Sequence, residues 1–378
     1  MTQPQAFVGA DVFDGKRLLT GQAVVVANGQ PEILPPTTLS GSISLVTLQG
    51  GTFLPGFVDL QVNGGGGVMF NDSPDITCLT TIARAHSRLG TRAFLPTLIT
   101  DTPAQTTAAI AAVTAAVELG VPGIIGLHLE GPHLSTSRKG AHDAALIRRM
   151  DDTDCAELSA AARTLPNLLI TVAPESVTAA QISTLRDAGA IVFLGHSDCD
   201  FETAAAAFDA GAQGTTHLFN AMSQLTSRAP GLVGATLNTG AASCGLIADG
   251  IHVHPATIRS ALAAKAGPGA VFLVTDAMAC AGSDINQFML NGRKILRNGG
   301  KLTLEDGTLA GADLDMARAL RVMINEVGEP TEQAFARATS IPASLLRSPQ
   351  GAGEWPDNES GLIYLTPDFR VLTVAELT

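Results

Sequence analysis

Two histidines and a glutamate stand at or near the ends of separate apolar runs. Glu130 closes "GIIGLHLE", His196 closes "AIVFLGH", and His217 lies in "GTTHLFN". An aspartate, Asp276, closes a further run, "AVFLVTD", and Gln61 and Asn63 end another, "FVDLQVN". Two imidazoles and one carboxylate suit a zinc ion or a similar divalent cation, with one position left open for water. Such an ion lowers the pKa of the water it holds to roughly 7. Asp276 is then placed to take a proton from that water as it attacks a carbonyl carbon, and to return it to the leaving group. A single buried histidine is more often a hydrogen-bonded core residue than a ligand. Six polar groups drawn together from distant parts of the chain are harder to explain as packing, because burying them unpaired costs several kcal/mol.

What could gather them is a closed barrel. Eight apolar runs read as strands, at 57–63, 91–97, 123–130, 168–175, 190–196, 214–220, 243–249 and 270–276. Alanine-rich helical stretches alternate with them, the pattern of βα units and a parallel sheet. One such helix is legible at both ends, with Thr102 as its cap, Pro103 in its first position and Gly120 after its last apolar residue, Leu119. The pattern predicts an α/β fold, a (β/α)8 TIM-like barrel over residues 56–345, whose C-terminal rim is where such barrels build active sites. The first fifty residues and the tail "SGLIYLTPDFRVLTV" read instead as short strands. Residues 1–55 and 346–378 are therefore expected to form a small β-sandwich domain from both chain termini.

The chain of 378 residues carries a formal charge of −12, which disfavours nucleic acid as a partner but leaves room for a small anionic substrate in a local basic pocket. Five scattered cysteines form no C-x-x-C pair, as in a reduced, cytoplasmic protein. The N-terminal "MTQPQAF" has no signal-peptide pattern, and no apolar run reaches the roughly 18 residues that span a bilayer, so no membrane partner is expected.

Longer motifs narrow the reading. "QVNGGGG" (61–67), "HLEGP" (128–132), "APE" (173–175), "GHS" (195–197), "THLFNAM" (216–222), "ADGIH" (248–252) and "VTDA" (274–277) occur in order between about Pro55 and Met316. In these the sequence resembles the N-acetylglucosamine-6-phosphate deacetylase family of the amidohydrolase superfamily. The resemblance implies metal-dependent hydrolysis of N-acetylglucosamine 6-phosphate to glucosamine 6-phosphate and acetate. It implies Glu130, His196 and His217 as ligands of one divalent ion per subunit, zinc, and Asp276 as the general base and acid. It also places His142 at the acetyl carbonyl, Asn220 and Ala221 on the phosphate side, and Arg228 and His252 as the charge around the phosphate. A homodimer is implied, because the phosphate pocket of that family is completed across a subunit interface. Small residues around Arg228 in "NAMSQLTSRAPG" would let backbone N–H groups approach an anion, and a guanidinium offers two-pronged recognition of phosphate.

Gln61 and Asn63 replace the H-x-H pair common at this place in the superfamily, and strand 4 carries no lysine. One metal is therefore expected, with Gln61 and Asn63 reaching it through water or filling space. Strand alternation puts His128 on the face of Glu130, as a supporting residue beneath the ligand. His133 is expected at the surface. "IHVHP" (251–255) is on residue grounds equally an H-x-H metal pair; the resemblance favours His252 as a phosphate contact and leaves His254 structural. Ala312 stands where a serine is usual in that family, and the tail around Trp355 departs from its pattern. With aromatic residues at 4%, sugar recognition must lean on hydrogen bonds. Three alternatives remain: the same reaction on another N-acyl hexosamine 6-phosphate such as the galactosamine epimer, a cyclic-amide hydrolase, and a non-catalytic sugar-phosphate-binding homologue. The missing H-x-H pair and strand-4 lysine speak against the second. An intact Asp276 speaks against the third.

Overall fold

The eight apolar runs become eight parallel strands, hydrogen-bonded to one another in chain order. The structure, a computed structural model, describes residues 4–41 and 43–377. Barrel strands 1 to 4 are Phe57–Val62, Thr91–Ile99, Leu127–Glu130 and Leu168–Val172, and strands 5 to 8 are Ile191–Leu194, Gly214–Thr215, Ser243–Leu246 and Val271–Leu273. The last closes on the first: Asp276 N–H donates to the Gln61 carbonyl (3.1 Å), Asn63 N–H donates to the Ala277 carbonyl (2.8 Å), and Val62 bridges Ala277 in parallel. Residues of both strand faces are buried. Val58, Leu60 and Val62 share an apolar cluster with Leu79 and Ile82 of the helix Ile76–Arg88. Asp59 and Gln61, on the alternate face, are buried among polar groups.

Helix signals in the sequence are used as written. Thr102 Oγ1 accepts from Gln105 N–H, Pro103 opens the helix Pro103–Glu118, and Gly120 leaves it at φ +67°. Its buried residues Ala109, Ala112, Val113 and Ala116 follow the spacing of one helical face.

Both chain ends meet in a sandwich. One sheet runs in the order Gln30–Leu34, Ala23–Ala27, Gln5–Val8, Ser44–Thr47. The other runs Val371–Leu372, Leu362–Leu365, Thr52–Pro55, Asp11–Phe13, Leu18–Leu19, so strands from the two termini lie side by side. Phe7, Val24 and Val26 of the first pack on Phe53, Leu362 and Tyr364 of the second, with Phe7 and Phe53 ring centroids 5.5 Å apart.

A further sheet lies outside the pattern read from the sequence. Between barrel strand 8 and the helix Met316–Val322, four antiparallel strands form one sheet: Gln287–Leu290, Arg293–Asn298, Lys301–Leu304 and Leu309–Ala312. The turn Asn291-Gly292, with φ +47° and +74°, makes its first hairpin. It stands over the barrel mouth and walls one side of the cavity there through Leu290, Leu309 and Gly311.

Candidate active site

Strand ends deliver the side chains, and sharp backbone turns aim them. His196, His217 and Asp276 follow their strands with φ of +47°, +29° and +50°. This left-handed region costs a non-glycine residue about 1–3 kcal/mol and is retained mainly where the surroundings and the function require it. Around these turns lies a cavity of ≈ 380 Å³ lined by Asn63, Glu130, His142, His196, His217 and Asp276 among others.

At its floor three donor atoms form a triangle. His217 Nε2 lies 2.9 Å from Glu130 Oε1, His196 Nε2 lies 3.3 Å from the same oxygen, and the two Nε2 atoms are 3.1 Å apart. Ligands about 2.0–2.1 Å from a tetrahedral zinc ion stand roughly 3.3 Å from one another. The triangle thus has nearly the edge lengths of one face of such a site. His196 donates its Nδ1–H to the Arg138 carbonyl at 2.9 Å, which leaves the Nε2 lone pair facing inward, the tautomer a ligand needs. Burial alone would raise the Glu130 carboxyl, but the two imidazoles beside it, His196 and His217, outweigh burial and hold it well below the ordinary range. The same partnership with Glu130 overcomes burial at His217 and raises that imidazole.

His142 is a neighbour of this set with a different posture. Its Nε2 lies 3.9 Å from Glu130 Oε2, so Glu130, His142 and His196 also come close enough to share an ion. Yet Thr100 N–H points at His142 Nδ1 (3.3 Å) and Thr100 Oγ1 lies 2.7 Å from it. A backbone N–H can only donate, so Nδ1 accepts and Nε2 carries the hydrogen. That tautomer is a hydrogen-bond donor aimed into the cavity and has no lone pair for a metal. Glu130, His196 and His217 are then the three side chains that could share a cation, with His142 beside them.

Asp276 is buried, and burial first, then the nearby Glu130 charge, push its carboxyl up to about 6. Asn63 Nδ2 donates to Asp276 Oδ1 at 2.6 Å, and Gln61 Nε2 donates both to that oxygen and to Glu130 Oε1, each at 3.1 Å. Gln61 and Asn63 therefore touch the carboxylates directly. His128 sits lower: its Nδ1 donates to the Leu60 carbonyl (3.1 Å), and its Nε2 meets Thr171 Oγ1 (2.8 Å), which in turn meets Thr216 Oγ1 (2.5 Å). Both ring nitrogens are engaged by protein, so His128 supports the floor from beneath.

Toward the opposite wall, Asn220, Ala221 and His252 line the cavity, and His252 Nδ1 is held by Asp249 Oδ2 at 2.6 Å. His254 instead caps a helix, accepting from Ala256 N–H. Arg228 is exposed on the 224–229 loop and does not line the cavity of its own chain. His133, expected at the surface, is 1% exposed; the loop after strand 3 folds inward, and its ring meets the Arg148 carbonyl at 3.2 Å and lies 3.9 Å from Asp154. Two positioning groups carry no signal in the sequence pattern, Thr100 and the Arg138 carbonyl. Two more lie inside the motifs without a role legible there: Asp249 in "ADGIH", and Glu175 in "APE", whose carboxylate accepts from Ser197 Oγ and Asp198 N–H at 2.7 Å each and braces the turn of His196.

A parallel barrel with two histidines and two carboxylates gathered at the C-terminal ends of its strands defines the class: a hydrolase-type (β/α)8 barrel with a cation-binding cluster. The chain belongs to the amidohydrolase family, whose model matches residues 52–354. It is 45% identical to the N-acetylgalactosamine-6-phosphate deacetylase of Shewanella sp. (strain ANA-3) over 327 residues, 86% of this chain and 82% of that one. It is 31% identical to the N-acetylglucosamine-6-phosphate deacetylase of Haemophilus influenzae over 377 residues, 97% of this chain and 96% of that one. Among solved structures, N-acetylglucosamine-6-phosphate deacetylase from Pasteurella multocida superposes with a TM-score of 0.90 at 34% identity, covering 98% of this chain and 97% of that one. Among the described residues no helix is long and apolar enough to cross a membrane.

Proposed function

We propose that the protein hydrolyses the acetamide of an N-acetylhexosamine 6-phosphate, releasing acetate and the amino-sugar phosphate, with N-acetylglucosamine 6-phosphate as substrate. The observation that carries this reading is the triangle of Glu130, His196 and His217 beside a buried Asp276, under a mouth with a polar wall at Asn220 and His252. One divalent ion per subunit, zinc, is the group this donor set fits, and when bound it supplies Lewis acidity that makes water a nucleophile near neutral pH.

The chain's own residues do the rest. His142 Nε2–H donates to the amide carbonyl oxygen and stabilises the charge that grows there on attack. Asp276 takes the proton of the attacking water and delivers it to the amide nitrogen as the C–N bond breaks. Asn63 and Gln61 hold Asp276 at the angle for both transfers. His252, aligned by Asp249, and Asn220 with the Ala221 backbone receive the phosphate. Arg228 reaches the cavity of a neighbouring subunit in a homodimer, consistent with its exposure and its absence from its own cavity. We place the enzyme in the cytoplasm, with residues 1–55 and 346–378 as its small β domain and 56–345 as its catalytic barrel.

A second reading has its own support: the 45% identical relative acts on the galactosamine epimer, while the glucosamine-type relative named above is 31% identical. Acetate release from the two N-acetylhexosamine 6-phosphates and their unphosphorylated sugars decides both points. Higher kcat/KM on one epimer assigns the sugar. Equal rates with and without phosphate refute the phosphate assignment.

A further inference from the structure

The mouth of the barrel has two unlike arcs. Asn220, Ala221 and His252 follow strands 6 and 7 and are polar or offer backbone. Ile99, Met278, Leu290 and Leu309 form the other arc, from the end of strand 2, the segment after strand 8, and the inserted sheet. Ile99, Met278 and Leu290 are buried, and they belong to one apolar cluster with Ile295 and Leu302 of that sheet. This side of the cavity is thus the exposed edge of a packed core, and packed cores resist displacement of even one methylene.

The sheet is also fastened to the reacting groups. Ala312 N–H donates to the Asp276 carbonyl at 2.9 Å. Arg293 donates to the carbonyl of Ala141, the residue before His142, and Asn291 Nδ2 lies 3.5 Å from the carbonyl of Thr100, which holds the His142 ring. Gly311 has φ +61°, and a Cβ there would sit 2.5 Å from Met278 Cγ and 2.9 Å from the Asp276 carbonyl oxygen, so the backbone of the sheet presses directly on the wall.

We propose that this apolar arc is the acyl pocket and that Leu290 and Leu309, carried by the inserted sheet, set the length of the N-acyl chain the enzyme accepts. The proposal rests on the amide-hydrolase reading above. An amide has two sides. With its carbonyl between His142 and the cation ligands and its sugar phosphate toward Asn220 and His252, its acyl carbons face the arc of Ile99, Met278, Leu290 and Leu309. A methyl group fits against such a wall. Each further methylene must displace Leu290, which the core of the sheet holds in place, or crowd the partly buried Leu309 beside it, and a hydrophobic pocket discriminates one methylene by roughly 10- to 200-fold.

The test compares kcat/KM for the N-acetyl, N-propionyl and N-butyryl forms of the preferred hexosamine 6-phosphate in the wild type, Leu290→Ala and Leu309→Ala. The wild type should lose about 10-fold or more per added methylene. Each variant should raise the butyryl-to-acetyl ratio by at least about 10-fold, a ratio that general loss of activity does not mimic. Leu309 is only partly buried, so its variant carries the test if Leu290→Ala does not fold. A wild type active on the acetyl substrate, with an unchanged ratio in a folded variant, overturns the proposal alone. A wild type inactive on all three overturns the hydrolase reading and this proposal with it.

Discussion

The side-chain nitrogen of Gln61 stands 3.1 Å from Asp276 Oδ1, and the same nitrogen stands 3.1 Å from Glu130 Oε1. One amide thus ties the residue expected to move protons to a residue expected to hold the cation. A glutamate here would set a third carboxylate against two others. Gln61→Glu should therefore fold but lose turnover by about 10-fold or more, while Gln61→Asn, which keeps a donor, should lose less. Equal turnover in Gln61→Glu and the wild type would show that the amide does no such work.

Asp276→Asn keeps the shape and the Asn63 contact region but removes the proton carrier. Turnover should fall by about 10²-fold or more with metal content unchanged, the scale expected for loss of acid–base catalysis. Near-normal turnover in a folded variant would assign the proton transfers elsewhere.

Arg228→Ala should mainly raise KM for the phosphorylated substrate and leave the unphosphorylated sugar almost unaffected, because in the proposed function its charge meets only the phosphate. Asp249→Asn, which loosens the 2.6 Å hold on His252, should act in the same direction. Steady-state kinetics on the two substrates read both, and equal losses on the two would remove the phosphate role.

His86 offers a pH test away from the site. Its buried Nε2 meets the Gly64 carbonyl at 2.9 Å, and burial lowers its pKa to about 4. An unfolded histidine takes up a proton near pH 6.5, so between about 6.5 and 4 the unfolded state binds a proton that the native state refuses. Stability must fall as pH falls through that window, by about 3 kcal/mol in total at 1.36 kcal/mol per pKa unit. Urea unfolding at pH 7 and 4 should show a smaller decline in His86→Gln than in the wild type. Parallel declines would mean that another group governs acid unfolding.

Much of the fold is legible in the sequence because its signals are local and repeated. Apolar runs, Thr102-Pro103 and Gly120 each specify a strand or a helix end by themselves. Strand 6 is the faintest, and the structure gives the reason: only Gly214–Thr215 pair in the ladder before the chain turns at His217 to deliver its ring. The inserted sheet escapes such a reading although Asn291-Gly292 and Gly299-Gly300 mark its turns, because its strands are short and half polar. In the site, residues that act through side chains at strand ends can be picked out. Thr100 cannot, since its partner His142 is 42 residues away. Arg138 fixes the His196 tautomer with a backbone carbonyl, and any residue type carries one. His133 misleads for the opposite reason: a polar residue in a loop reads as exposed unless the fold of that loop is known.

The central claim is that Glu130, His196 and His217 together hold one divalent cation. It is tested most directly by anomalous scattering at the zinc edge from crystals grown with zinc. A single peak about 2.0–2.2 Å from His196 Nε2, His217 Nε2 and a Glu130 oxygen is the result expected. A peak bound by His142 in place of His217, or no peak within reach of the three, would contradict it.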